Sequence, residues 1–127
     1  GVTTFTRNLE SIISIARSNG IDVGLVTEAL CISKADFEVN ADWYTEVLNF
    51  VPTLTIDGLL HAKEQYSKAV HRLAESYDLP FMDSAVVVPV SSDYFKDHVH
   101  LNIKGHRTLA GGMAGMVESH LTNQPKD

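Results

Sequence analysis

Cysteine occurs once, at Cys31, which excludes an internal disulfide and a multi-cysteine zinc site. Cationic residues are scarce. Ten Lys and Arg stand against 16 Asp and Glu, a net charge of −6, whereas phosphate contact needs clustered Lys and Arg. That balance argues against a nucleic-acid partner. No apolar run approaches the ~20 residues of a membrane span, and no basic-then-apolar stretch opens the chain. The 4 prolines and 8 glycines never gather into a linker, and no repeat or low-complexity tract appears. The 127 residues therefore read as one domain, expected over 1–122 with a frayed tail at 123–127. With 44% apolar and 20% charged residues, the composition is that of a globular chain rather than a disordered one.

The positive signals are periodic. Phe5, Leu9, Ile12, Ile13 and Ala16 are spaced as one face of a helix, with Thr3 or Thr4 as its cap and Asn19-Gly20 as its stop. The apolar, β-branched stretch Ile21–Thr27 then reads as a buried strand, its lack of strict alternation being the mark of a parallel sheet. Trp43, Tyr44, Val47, Leu48 and Phe50 fit a short amphipathic helix ending before Pro52. A long helix is predicted from about Asp57 to Tyr77, with Leu59, Ala62, Tyr66, Ala69, Val70 and Leu73 on its inner face. Leu79–Asp83 reads as a second strand, extended at its start because a residue before proline avoids the helical region. Asn102 is a good cap for a last helix that turns Ile103, His106, Leu109, Ala110, Met113 and Val117 inward.

Helix and strand in alternation imply an α/β fold with parallel strands. Only two strands are legible, however. A two-stranded parallel sheet leaves both edges open, so the pattern predicts a partial sheet completed by self-association.

Open α/β sheets place ligands at the carboxyl ends of their strands. Two loops qualify, the one after Thr27 and the one after Asp83, which contains Asp97-His-Val-His100. An aspartate three residues before a histidine can fold back to accept its Nδ1 proton. That bond fixes the tautomer and leaves Nε2 free as a base.

The setting of this pair is distinctive. Tyr77-Asp-Leu-Pro-Phe-Met-Asp83, Ser92-Asp-Tyr-Phe-Lys-Asp97 and His100-Leu-Asn-Ile-Lys-Gly-His106-Arg-Thr-Leu-Ala110 together resemble the carboxyl-terminal part of the SGNH, or GDSL-type, hydrolases. Phe5–Ile13, Gly20–Thr27 and Tyr66–Ala74 are similar to the helices and strand that precede it in that family, so the resemblance spans nearly the whole chain. It implies a partial three-layer, flavodoxin-like parallel sheet. It also implies the hydrolysis of carboxylic or acetyl esters through an acyl-serine, with His100 as the base and Asp97 as its orienting carboxylate. No metal or organic cofactor is implied.

The same comparison exposes what is missing. The family's Gly-Asp-Ser nucleophile motif, its second-block glycine and its Gly-x-Asn-Asp motif have no counterpart here; Met82-Asp-Ser84 is the one Asp-Ser pair and lies in the wrong block. The chain thus looks like the back half of such a hydrolase, with little or no activity expected alone. Its expected partners are a second copy, as a homodimer, or a complementary amino-terminal half, together with a small ester substrate. The alternative is a non-catalytic binding or assembly module derived from a truncated hydrolase.

Other candidates read as structural. Ser91 and Ser92 are expected to shape a turn rather than serve His100 as nucleophiles. His98, His100 and His106 with Asp93 and Asp97 resemble a metal cluster only in composition; His106 is expected in the core, and His61, His71 and His120 on helix surfaces. Phe37, Trp43, Tyr44 and Phe50 are expected to pack a helix on the sheet rather than wall a substrate cleft, and Met82, Met113 and Met116 to fill the core. Gly111, Gly112 and Gly115 weaken a helix by about 1 kcal/mol each, which points to close approach of another backbone.

Overall fold

The computed structural model describes residues 1–33, 35, 38, 42, 44, 45, 49 and 53–123. Within them the chain is α/β and mostly helical, around a small parallel sheet of two strands. Helix α1 (Val2–Ser18) leads to β1 (Leu25–Val26), then α2 (Ile56–Ser76), β2 (Phe81–Met82), the short α3 (Ser84–Val87) and α4 (Ile103–Asn123). Leu25 pairs with Phe81 and Val26 with Met82. Only two residues of each expected strand are paired, so the sheet is shorter than the apolar runs that supply it.

Helix α1 starts at Val2 behind Gly1, two or three residues before the expected threonine cap, and stops where Gly20 takes φ +69°. The N–H of Gly20 bonds the carbonyl of Arg17 there. Helix α2 is capped by Thr55, whose side chain accepts the N–H of Gly58. Ile13 of α1 meets Leu25 of β1 and Val70, Leu73 and Ala74 of α2 in one core cluster, edged by Phe5 and Leu9. On α1, Ile12 belongs to the predicted stripe but lies outside this cluster, exposed beside Ile15. The expected inner face of α2 holds at Ala69, Val70 and Leu73, whereas Tyr66 lies near the surface.

Helix α4 lies against β2 and α3, and its orientation corrects the sequence reading. Of the predicted stripe only Leu109 packs inward; Ile103 (72%), His106, Ala110, Met113 and Val117 are exposed, as is Leu121 beyond them. Gly105, Gly112 and Met116 accompany Leu109 on the inward face. The reason is steric. A Cβ at Gly105 would lie 2.1 Å from the carbonyl oxygen of Tyr94, and one at Gly112 would lie 2.7 Å from Sδ of Met82 and Cγ1 of Val87. Close approach at two glycines outweighs a wider apolar stripe. Gly111 and Gly115 have open space around their Cα atoms.

A second cluster unites Ala29, Cys31, Val88, Phe95 and Leu101. Tyr44 is fully buried and donates its hydroxyl to the carbonyl of Cys31. Trp43, Val47, Leu48 and Phe50 of the expected middle helix, and Phe37, lie outside the described residues. Asn123 still belongs to α4, and the remainder of the expected tail lies outside them too. Among the described residues no helix is long and apolar enough to cross a membrane.

Candidate functional site

The loop carrying Asp97 and His100 is closed by its own backbone. Phe95 and Leu101 face each other as an antiparallel bridge, and the N–H of Lys96 donates to the carbonyl of His100 at 2.7 Å. Both bridge residues are buried, so the loop between them is anchored at its base. A further bond, from the N–H of Cys31 to the carbonyl of His98, ties its tip to the segment following β1. Asn102 then caps α4 through Gly105 N–H and donates its amide to the carbonyl of Asp93.

Inside this loop one carboxylate does three things. Oδ1 of Asp97 accepts the N–H groups of Val99 (2.9 Å) and His100 (2.8 Å), and Oδ2 lies 2.7 Å from Nδ1 of His100. Partial burial pushes the Asp97 carboxyl up, but those two N–H groups and the imidazole outweigh it and hold the group at about 2. An ionised carboxylate facing Nδ1 favours the tautomer with the proton on Nδ1. Nε2 of His100 then carries the free lone pair, on a side chain that is 74% exposed. No hydrogen bond engages Nε2 among the described residues. Both residues line an open cleft of about 710 Å³ with Thr27, Glu28 and His106.

The cleft's other wall is the carboxyl end of β1, where Thr27 stands out. Buried at the strand end, its hydroxyl donates to Oδ1 of Asp83 (2.8 Å), accepts the N–H of Ser84 (2.8 Å) and lies 3.1 Å from Oγ of Ser84. Asp83 Oδ1 also accepts from Ala85 N–H, which caps α3. The two strand ends are thereby stitched together. Sequence reasoning did not single out Thr27; the available signal was a lone hydroxyl ending an apolar strand, level with an Asp ending the other.

The remaining candidates separate. Ser84 is fully buried in that stitch. Ser91 accepts the N–H of Asp93 in a turn. His98 packs tilted against Tyr44, ring centroids 5.7 Å apart, with its Nδ1 buried and unbonded, while His100 turns to Asp97. The structure thus brings Asp97 and His100 together, sends His98 to Tyr44 and leaves His106 on the wall of the cleft. Among the described residues no three His, Cys, Asp or Glu side chains converge as metal ligands. His61 and His71 are exposed, and His120 lies 3.7 Å from Asp22.

Compared with family models, with curated proteins and with solved structures, the chain matches none.

Proposed function

We propose that Asp97 and His100 form the acid–base half of a serine-type ester hydrolase site of the SGNH kind, with nucleophile and oxyanion donors supplied by another polypeptide segment. The observation that carries this reading is the 2.7 Å contact between Oδ2 of Asp97 and Nδ1 of His100, beside an unengaged Nε2 in an open cleft. In such a site Nε2 takes the proton of the attacking serine and returns it to the leaving alcohol. The carboxylate keeps the ring oriented and offsets its positive charge.

The supporting segment docks, in this reading, at the free edge of β1. Among the described residues the strand has one neighbour only, and a parallel pair with a bare edge is marginal in water. Beside it, Val26, Met113, Val117 and Leu121 line an apolar hollow of about 340 Å³. A completed three-layer parallel sheet accounts for that surface. The same features also favour the second reading, a non-catalytic module that pairs with its own copy.

Nitrogen chemical shifts of His100 near neutral pH test the base assignment. The proton is expected on Nδ1, and a neutral ring protonated on Nε2 would remove the assignment. Turnover of p-nitrophenyl acetate by the chain alone tests where the nucleophile lies. It should match that of His100→Ala, because losing a nucleophile and its oxyanion donors costs far more than the ~10²–10³ of a single donor. His100-dependent turnover would place the nucleophile within this chain.

A further inference from the structure

The carboxyl end of β1 opens on two sides, and Thr27 and Glu28 line both. One side is the cleft of His100. The other is a separate cavity of about 340 Å³ between α1, α2 and the segment following β1. Its walls are mostly apolar: Phe5 from α1, Val26 of β1 and Leu30 after it, Leu59 and Val70 from α2, with Tyr66 and Ser67 also on that helix. Lys63 lies on the same stripe of α2, one turn beyond Leu59, and brings a cation to the cavity.

That cation is poorly provided for. Lys63 is half-buried, and its ammonium donates to the carbonyl of Leu30 at 3.3 Å. No carboxylate lies within ion-pair distance of it among the described residues. Burial pulls the amine below its ordinary range, with Cys31 and Asp83 opposing the shift. An ammonium stripped of water among apolar walls gains most from an anion brought to it with an apolar tail.

We propose that this cavity binds a short aliphatic monocarboxylate, its carboxylate on Lys63 and its chain against Phe5, Leu59 and Val70. At about 30 Å³ for each water-sized group, the space holds a chain of roughly six carbons with room to spare. Glu28, at the rim shared with the His100 cleft, sets a negative charge against any second carboxylate. The proposal stands apart from the ester-hydrolase reading, since binding needs neither His100 nor a nucleophile. A monocarboxylate is nonetheless what an esterase releases.

Titration of the full chain with hexanoate, followed by the methyl resonances of Leu59 and Val70, tests it. Saturable shifts are expected. Hexan-1-ol should bind about tenfold more weakly or worse, as should hexanoate to Lys63→Met, because a charge-assisted bond is lost. Lys63→Arg should retain most of the affinity. Absence of saturation with hexanoate, or equal affinity for hexan-1-ol, would overturn the proposal. So would unchanged hexanoate affinity in a folded Lys63→Met variant; should that variant not fold, the alcohol comparison on the natural sequence decides. A His100 ring protonated on Nε2 would overturn the catalytic reading and leave these shifts unchanged.

Discussion

Asp97 holds His100 at two points: Oδ1 accepts its backbone N–H at 2.8 Å, and Oδ2 meets its Nδ1 at 2.7 Å. Backbone and ring are therefore oriented by the same carboxylate. The imidazole cannot turn from Asp97 without giving up a charge-assisted bond, although most of its surface is in solvent.

This arrangement sets an acid limb. The Asp97 carboxyl sits at about 2 against an ordinary 3.8. A carboxyl lowered in the folded chain adds stability above its unfolded value and loses it as pH falls through the folded one. Denaturant unfolding should therefore show a fall in stability between about pH 4 and pH 2 that is smaller in Asp97→Asn. An unaltered acid limb in the variant would mean that the bonds to Asp97 do not persist in solution.

Thr27→Val keeps the shape at the end of β1 and removes the oxygen that accepts Ser84 N–H and donates to Asp83. A buried donor left unpaired costs about 1–3 kcal/mol. Urea unfolding should register that loss, and a change under about 0.5 kcal/mol, ordinary for a surface site, would refute the stitch.

The glycines of α4 should respond with opposite signs to one substitution. Gly105→Ala forces a methyl against the Tyr94 carbonyl and should cost about 1–3 kcal/mol, loosening the base of the Asp97 loop. Gly111→Ala enters open space and should gain up to about 1 kcal/mol from helix propensity. Thermal melts of the two variants give the comparison; destabilisation by both would indicate that Gly111 is covered in solution.

Ile15 on α1 and Val117 on α4 are both exposed, at 64% and 49%. In the self-association reading Ile15→Asp and Val117→Asp should convert a dimer to a monomer with unchanged circular dichroism. Light scattering after size exclusion measures this directly, and a monomeric natural sequence would defeat that reading.

Much of the site was legible because it is local. Asp97 and His100 are three residues apart, and the turn that joins them closes within the loop. Asn102 as a cap and Gly20 as a stop were readable for the same reason. Thr27 escaped notice because its partners, Asp83 and Ser84, lie 56 and 57 residues away. His106 was misplaced because α4 is apolar on two faces, and hydrophobic spacing alone cannot choose between them.

The amino-acid order by itself determined the three long helices, the two parallel runs and the carboxylate–imidazole pair, since each follows from spacing, capping and turn chemistry among near neighbours; the short α3 went unread. Tertiary structure alone decided which face of α4 turns inward, because that depends on how closely Tyr94, Met82 and Val87 approach glycines that offer no side chain. It also decided that the two strand ends share one hydroxyl, and that Lys63 enters a largely apolar hollow and bonds the carbonyl of Leu30 there. Close contact and desolvation arise only once distant segments meet.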